Sequence, residues 1–310
     1  MKKENPTSIN SPNILKCYWI ASRPKTWTAS ICPVLIGTSL AFYMGFFSLP
    51  IFILTLLFSL CIQIGTNFAN DYFDFIKGAD TEMRKGPQRA TQQGWIPPSD
   101  MLRASLLAFS FALFFAIPLM LMAGLWSWGV ALLCILFGLL YTGGPKPLGY
   151  VGLGEILVFV FFGPVAICGT YFLQTGEMDF FIFLASLSPA LLSTAILVAN
   201  NLRDETSDRI ANKKTLVVRW GRKFGSYEYA ILILFASIIP SLLALFHLAP
   251  LSLTITSLIL VPAVPLIKKG FCFKDPLELI ALLQGTSFLL LIYTLLFCAV
   301  FLETINDLLW

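Results

Sequence analysis

Charged residues are scarce in this chain of 310 residues. Asp, Glu, Lys and Arg make up 12% of the sequence, whereas a soluble domain carries about a quarter. So few charges cannot cover a water-facing surface, and 57% of the residues are hydrophobic. Together these values predict an integral membrane protein and exclude a disordered chain, a disulfide-framed secreted domain and a nucleic-acid-binding protein.

Paired cysteines and a leader segment are also missing. The seven cysteines show no CxxC spacing and several fall within apolar runs, so we expect buried packing residues rather than disulfide partners or metal ligands. Residues before 26 contain no apolar core followed by a small-residue cleavage site, so no signal peptide is expected. The first span is predicted to target the chain to the membrane.

Long apolar runs occupy most of the remaining sequence. A helix needs roughly 20 apolar residues to cross a bilayer, and nine runs are suitable. The predicted spans are 28–47, 50–74, 102–122, 127–142, 152–173, 180–201, 227–246, 251–267 and 279–302. The expected fold is therefore all-α, with nine transmembrane helices in one membrane-embedded domain over residues 1–310.

Basic residues fall on one side of this arrangement. All 21 Lys and Arg lie before residue 26, in 75–103, at 146, in 203–223 or in 268–274, and the opposite segments contain none. The positive-inside rule then places the N-terminus in the cytoplasm and the C-terminus outside, most simply in a bacterial cytoplasmic membrane. The single histidine, His247, falls on the outer side, so a His-based metal site and a Ser-His-Asp triad are excluded.

A first acidic cluster lies at the cytoplasmic end of the second predicted span. Asn67, Asn70, Asp71 and Asp74 follow spacings of three and four and share one helix face, and Asp80 returns from the loop. Basic residues follow the carboxylates along the chain; they are Lys77, Arg84, Lys85 and Arg89.

A second cluster repeats this pattern at the cytoplasmic end of the sixth span. Asn201, Asp204 and Asp208 have the same spacing, and Lys213 and Lys214 follow them. The matching positions suggest two parallel four-helix repeats, about 26–142 and 151–267, with the clusters facing each other across a central cavity and a ninth helix added.

Carboxylate and amide oxygens are the ligands of a hard cation such as Mg²⁺, which also shares phosphate oxygens. Acidic residues followed by basic ones therefore predict a diphosphate bridged by metal ions, with Lys and Arg holding the remaining oxygens. A cation-coupled transporter is the alternative from another class, but it should carry its acidic residues near the span centres.

The sequence resembles the UbiA superfamily of intramembrane aromatic prenyltransferases, most closely its branch that acts on 1,4-dihydroxy-2-naphthoate in menaquinone synthesis. The stretches that carry the resemblance are RPKT at 23–26, GTNFANDYFDFIKGADTE at 65–82, GPQR at 86–89, YTGGPKPLGYVGLGE at 141–155, GTYFLQ at 169–174 and NNLRDETSDRIANKKTL at 200–216. Asn212 departs from the pattern because the family usually has Gly there.

The resemblance implies Mg²⁺-dependent transfer of a polyprenyl group from its diphosphate to the naphthoate ring, with loss of the ring carboxylate and of diphosphate. It implies one Mg²⁺ at Asn67, Asn70, Asp71, Asp74 and Asp80, and another at Asp204 and Asp208. Asp71, Asp74, Asp204 and Asp208 are the predicted catalytic residues, and Lys77, Arg84, Arg89 and Lys213 the predicted phosphate holders, with Asn67 and Asn201 beside the substrates.

Other residues have predicted roles beside these clusters. The Gly/Pro-rich segment 141–150 is expected to form a lid, with Tyr141 and Lys146 near the diphosphate. Lys25 is a candidate for the naphthoate carboxylate. The candidates for shielding an allylic carbocation through cation–π contact are Phe68, Tyr72, Phe73, Tyr141 and Tyr150. No residue stands out as a general base.

Two questions stay open at the level of sequence. The donor could be a phytyl rather than a polyprenyl diphosphate, and the acceptor could be 4-hydroxybenzoate or homogentisate. Prenyl chain length and oligomeric state are not predicted, because the walls of the cavity cannot be located from sequence.

Overall fold

A computed structural model describes residues 13–79, 86 and 88–308, with side chains as far as 302. The described residues are predominantly helical and include no β-strand. The helices are α1 (Ile14–Ser22), α2 (Thr28–Tyr43), α3 (Leu49–Ile76), α4 (Pro98–Ala123), α5 (Leu125–Leu140), α6 (Gly154–Val160), α7 (Ala166–Thr175), α8 (Phe180–Ile210), α9 (Leu216–Leu245), α10 (Leu260–Cys272) and α11 (Glu278–Leu308).

Seven helical segments of the described chain are long and apolar enough to cross a membrane. They are Leu49–Ile76, Pro98–Ala123, Gly154–Thr175, Phe180–Ile210, Leu216–Leu245, Leu251–Cys272 and Glu278–Leu302. The protein is therefore an integral, multi-pass membrane protein. The number of nine crossings and the sides of the two termini stay predictions.

Three of the predicted spans differ from the helices that the structure places there. At the first span, Ile14–Thr26 and Thr28–Tyr43 form a pair bent by 53°, which becomes an eighth candidate if the pair counts as one span. At the fourth, α5 has 16 residues and measures about 24 Å at 1.5 Å per residue, less than the hydrocarbon thickness. The seventh begins at Leu216 rather than 227, and the chain bends at Gly221, where φ is +85°.

Apolar side chains face outward as well as inward. Leu107, Phe114, Leu121 and Leu125 expose 59%, 64%, 73% and 87% of their surface. Such a surface would be unstable in water and is suited to lipid. The interior is packed by large side chains between α2, α7, α8 and α11, among them Leu40, Leu192 and Phe297.

Gly163 allows the span α6–α7 to lie close to α8. It belongs to a π-helical turn, Phe161–Val165, which contains Pro164. Proline supplies no amide hydrogen, so a locally wider turn is an expected response. A Cβ added at Gly163 would meet the Cβ of Ala190 on α8.

We expect Gly163→Val to lower the unfolding temperature in detergent by several degrees, since overpacking costs roughly 1–3 kcal/mol. Gly129→Val is the matched control, because a Cβ at Gly129 of α5 has no neighbour within 4 Å. Equal thermal unfolding of the two variants would contradict the proposed close contact.

Candidate active site

The first acidic cluster lies at the buried end of α3. Asn67, Asn70, Asp71 and Asp74 expose between 1% and 9% of their surface. Their spacings of three and four place them on one face, as predicted. Each residue nevertheless contacts a different part of the chain.

Asp71 holds the segment that precedes α4. Its Oδ1 accepts a hydrogen bond from the backbone N–H of Thr91 at 3.1 Å, and its Oδ2 accepts one from Ala90 at 3.2 Å. Both carboxylate oxygens are therefore engaged with backbone. This contact indicates a positioning role, which the sequence did not predict for Asp71.

Asp74 is the point where charged and polar side chains converge on α3. Its Oδ2 lies 3.1 Å from Arg89 Nη2, and its Oδ1 accepts a hydrogen bond from the Tyr150 hydroxyl at 2.8 Å. Arg89 is itself only 6% exposed. The predicted phosphate holder thus lies beside a predicted metal ligand, inside the protein.

The loop 141–153 is fastened to α3 by two further residues. Thr142 donates from Oγ1 to Asn70 Oδ1 at 2.7 Å. Lys77 donates from Nζ to the carbonyl oxygens of Thr142 at 2.6 Å and Gly144 at 3.0 Å. Burial lowers the pKa of Lys77, although nearby Asp74 opposes this effect. In this structure Lys77 therefore holds the loop over the site.

The second cluster lies at the end of α8 and is also buried. Asp204 is 4% exposed and accepts hydrogen bonds from Arg203 at both oxygens, at 2.8 and 2.7 Å. Asp208 is 7% exposed, and its Oδ1 lies 3.6 Å from Lys213 Nζ. Arg203 was missed by the sequence reasoning because neighbouring residues on a helix do not face each other.

Lys213 links the two clusters electrostatically. Burial alone would lower the pKa of its ammonium group, but Asp208, Asp74 and Asp204 together raise it above the ordinary value. Asp74 belongs to α3 and the other two carboxylates to α8. Lys213 therefore interacts with carboxylates of both clusters and stays charged beside them; that the clusters face each other across a central cavity stays a prediction.

The backbone at Asn212 has a left-handed conformation. Its φ is +55°, a value that Gly adopts freely and Asn tolerates better than most residues. The departure from the usual Gly is therefore compatible with the loop that places Lys213.

Asn201, which was predicted to lie beside the substrates, donates a hydrogen bond to a residue of α6. Its Nδ2 donates to Glu155 Oε1 at 2.8 Å, and Glu155 is only 6% exposed. This pair joins α6 to α8 next to the second cluster. Glu155 had no predicted role, although it ends the stretch 141–155.

A cavity of about 280 Å³ extends from Asn67 and Asn70 of the first cluster into the membrane domain. Asn67, Asn70 and Tyr141 line its end near the clusters. Along α3 it reaches Thr55, a distance of about 22 Å at 1.5 Å per residue. Large apolar side chains form much of its wall; they are Phe58, Leu119, Trp126, Phe137, Phe161, Phe162, Phe172 and Leu173.

One wall of this cavity is polar near the clusters. Ser30 Oγ lies 3.1 Å from Gln63 Oε1, and Gln63 Nε2 lies 3.3 Å from Thr26 Oγ1. Asn67 continues the wall, donating from Nδ2 to the Ser22 carbonyl oxygen at 2.8 Å. Gln63 could have been noticed in the sequence, since it precedes Asn67 by one helical turn.

Some predicted aromatic residues lie elsewhere. Phe68 and Tyr72 pack with Met101 in a separate apolar cluster, so neither lines the cavity. Tyr141 does line it. Tyr150 lies between the clusters instead.

Two predicted basic residues are exposed at the surface. Lys25 and Lys146 are both exposed, and neither contributes to the cavity wall. The structure thus gives no support to Lys25 as the partner of an acceptor carboxylate. Asp80 and Arg84 lie outside the described residues.

The carboxylates of the two clusters could hold a hard cation only if substrate oxygens completed its coordination. Within the described ranges, no group of three or more Asp, Glu, His or Cys side chains is arranged to hold a metal ion. Asp74, Asp204 and Asp208 supply buried carboxylates, but Arg89, Arg203 and Lys213 lie beside them. Phosphate oxygens and water would have to complete the coordination, as is common for Mg²⁺.

Residues 30–277 match the model of the UbiA prenyltransferase family. The chain is 37% identical over 301 residues to 1,4-dihydroxy-2-naphthoate octaprenyltransferase of Haemophilus influenzae, covering 91% of this chain and 94% of the relative. Identity to the enzyme of the same name from Escherichia coli is 35%, covering 90% of this chain and 93% of the relative.

Solved structures show the same fold at low sequence identity. A UbiA homologue from Archaeoglobus fulgidus bound to GPP and Mg²⁺ is 16% identical, with a TM-score of 0.65 over 92% of this chain and 100% of the other. The apo structure of a UbiA homologue from Aeropyrum pernix is 12% identical, with a TM-score of 0.66 over 91% and 99%.

Proposed function

The chain belongs to the UbiA prenyltransferase family, and from this premise we propose that it transfers a polyprenyl group to 1,4-dihydroxy-2-naphthoate. The observation that carries this proposal is that Lys213 interacts electrostatically with carboxylates of both buried clusters, while Asn67 and Asn70 of the first cluster line the end of an apolar cavity. The names of the relatives support the choice of acceptor. We propose that the site faces the cytoplasm of a bacterial cell.

The diphosphate of the donor would bind between α3 and α8. Arg89 is buried beside Asp74, and Lys213 lies beside Asp208 with only 15% of its side chain exposed, so both can hold phosphate oxygens where little water competes. Two Mg²⁺ ions, one beside each cluster, would neutralise the charge that develops on the leaving diphosphate. Asp74, Asp204 and Asp208 are the residues that would hold them. A homologue of the same fold binds GPP and Mg²⁺, which supports a divalent metal ion and a prenyl diphosphate as ligands.

The proposed reaction balances without a general base. The allylic C–O bond breaks, and its electron pair leaves with diphosphate. The ring carbon that carries the carboxylate forms the new bond to the allylic carbon. Carbon dioxide then leaves, and the electron pair of its bond restores the aromatic ring. The absence of an evident general base is therefore no obstacle.

The cavity would serve both substrates. Phe137, Phe161 and Tyr141 line it and can stabilise an allylic cation while water is excluded. The apolar stretch towards Thr55 and Trp126 suits a prenyl chain. The polar wall at Ser30 and Gln63 suits the hydroxyl groups of the acceptor.

The decisive assay uses purified protein with dihydroxynaphthoate, Mg²⁺ and prenyl diphosphates of increasing length. We expect prenylated naphthol and free diphosphate, and the donor series also identifies the preferred chain length. A phytyl donor, 4-hydroxybenzoate and homogentisate are included as alternatives. Product from none of the prenyl donors would refute the proposed function.

We expect Gln63→Leu to raise KM for the aromatic acceptor about five- to tenfold, because a hydrogen bond contributes roughly 1 kcal/mol. KM for the prenyl diphosphate should stay close to that of the unchanged protein. Gln284→Leu is the control, since Gln284 is exposed on α11. An unchanged acceptor KM in Gln63→Leu would show that the polar wall is not part of the acceptor site.

A further inference from the structure

The two helices that carry the acidic clusters, α3 and α8, do not pack mainly against each other. α3 packs chiefly against α4, and α8 packs chiefly against α9. A diphosphate held by both clusters requires their carboxylates at a fixed separation. Some other part of the chain must therefore set the relative positions of α3 and α8 at the site.

The Tyr150 side chain contacts the first cluster directly and the second cluster through Lys213. Its hydroxyl donates to Asp74 Oδ1 at 2.8 Å, which connects it to α3. The centre of its ring lies 5.4 Å from Lys213 Nζ, and that ammonium lies 3.6 Å from Asp208. The ring also lies 5.2 Å from Lys77 Nζ, at the end of α3.

The backbone of Tyr150 is fixed to the second cluster. The N–H of Lys214 donates to the Tyr150 carbonyl oxygen at 2.8 Å, and Arg219 donates from Nη2 to the next carbonyl oxygen, that of Val151, at 2.8 Å. The main chain of Tyr150 is thus attached on the side of α8 and α9. Its hydroxyl group reaches the side of α3.

We propose that Tyr150 is a positioning residue that sets the geometry of the two half-sites for metal and diphosphate binding. This inference rests on the proposed function. A phenol is suited to this position, because its hydroxyl orients a carboxylate while leaving the other lone pairs available. Its ring attracts the ammonium of Lys213 without neutralising it, so the charge stays available for phosphate.

The test is direct binding in detergent, measured by titrating Mn²⁺ into protein with a prenyl thiodiphosphate that reacts very slowly, with free Mn²⁺ followed by electron paramagnetic resonance. Tyr150→Phe loses the hydrogen bond to Asp74 and keeps the ring. We expect it to weaken Mn²⁺ binding about tenfold, within the range typical of residues that orient metal ligands. Tyr150→Leu loses the ring as well and should bind the thiodiphosphate more weakly still.

Tyr227→Phe is the matched control, because Tyr227 is 60% exposed on α9 and contacts Phe271 at 5.0 Å between ring centres. It should bind Mn²⁺ as the unchanged protein does. In steady-state assays Tyr150→Phe should raise the Mg²⁺ concentration needed for half-maximal rate and leave the acceptor KM unchanged. Thermal unfolding of Tyr150→Phe should match that of the control.

Mn²⁺ binding in Tyr150→Phe equal to that of Tyr227→Phe would overturn the inference. So would a parallel loss of thermal stability and of acceptor affinity, because that pattern indicates general loosening of the site. The proposed function fails separately: unchanged protein that binds Mn²⁺ and thiodiphosphate but prenylates no aromatic acceptor would refute it, while a weakened Tyr150→Phe would still support the positioning role.

Discussion

Replacing Asp74 with Ala is expected to reduce prenyl transfer by roughly 10²- to 10³-fold, because several kcal/mol of charge stabilisation at the leaving diphosphate depend on it. Asp74 is 4% exposed and contacts both Arg89 and Tyr150. It also contributes to the raised pKa of Lys213 across the site. The substitution thus removes a proposed metal ligand and the charge that balances the cations around it.

Turnover with saturating donor and acceptor is the measurement, repeated over a range of Mg²⁺ concentrations. Asp100→Ala is the matched control, since Asp100 lies at the start of α4 in an exposed ion pair with Arg103 at 3.1 Å. The control should retain nearly full activity. Mg²⁺-dependent turnover in Asp74→Ala within a few-fold of the control would show that Asp74 does not hold the metal.

Large losses are also expected for Asp204→Ala and Asp208→Ala. Both residues are buried at the end of α8, each beside a basic residue. Near-normal Mg²⁺-dependent turnover in all three Asp variants would show that these residues do not form the metal site.

The positions of the long helices could be predicted from sequence because hydropathy reports burial in lipid directly. The predicted runs near 50–74, 180–201 and 279–302 are the cores of α3, α8 and α11. α1 was missed because its nine residues are too short to produce a membrane-length run. The segment Ile14–Thr26 makes an angle of 53° with the following helix, and at the bend the indole N–H of Trp27 donates to the Ser22 carbonyl oxygen at 3.0 Å.

The composition of the site was predictable, but the partners of its residues were not. Spacings of three and four place Asp71 and Asp74 on one face of any helix. Tyr150 is 76 residues from Asp74 and Thr142 is 72 residues from Asn70, and no local pattern records such contacts. Sequence therefore predicted the acidic residues of both clusters and missed Arg203 and Glu155 beside them, and the fold determined what each one contacts.

Asp71 illustrates this limit most directly. Sequence placed it with Asp74 as a catalytic metal ligand, an assignment that stays a prediction. Its two oxygens accept backbone hydrogen bonds from Ala90 and Thr91. Every residue except proline carries the same backbone N–H group, so the residue types at positions 90 and 91 do not show that these groups donate to Asp71.

Asp71→Ala is therefore expected to lower the stability of the protein as well as its activity. Two buried N–H groups would lose their acceptor, each at a cost of about 1–3 kcal/mol. The segment from Arg89 to Trp95 would separate from α3, carrying away the guanidinium group that contacts Asp74. We expect a lower unfolding temperature in detergent, and turnover reduced to the level of Asp74→Ala or below.

Trypsin cleavage after Arg89, followed by mass spectrometry, distinguishes the two roles of Asp71. Arg89 is 6% exposed, so the bond after it should resist cleavage in the unchanged protein and in Asp74→Asn, which keeps the shape of its side chain. Asp71→Ala should be cleaved there much faster, and Asp71→Asn, with one acceptor oxygen left, at an intermediate rate. If Asp71→Ala loses activity while keeping its unfolding temperature and its resistance to trypsin, then Asp71 acts on the metal directly and its backbone contacts are secondary.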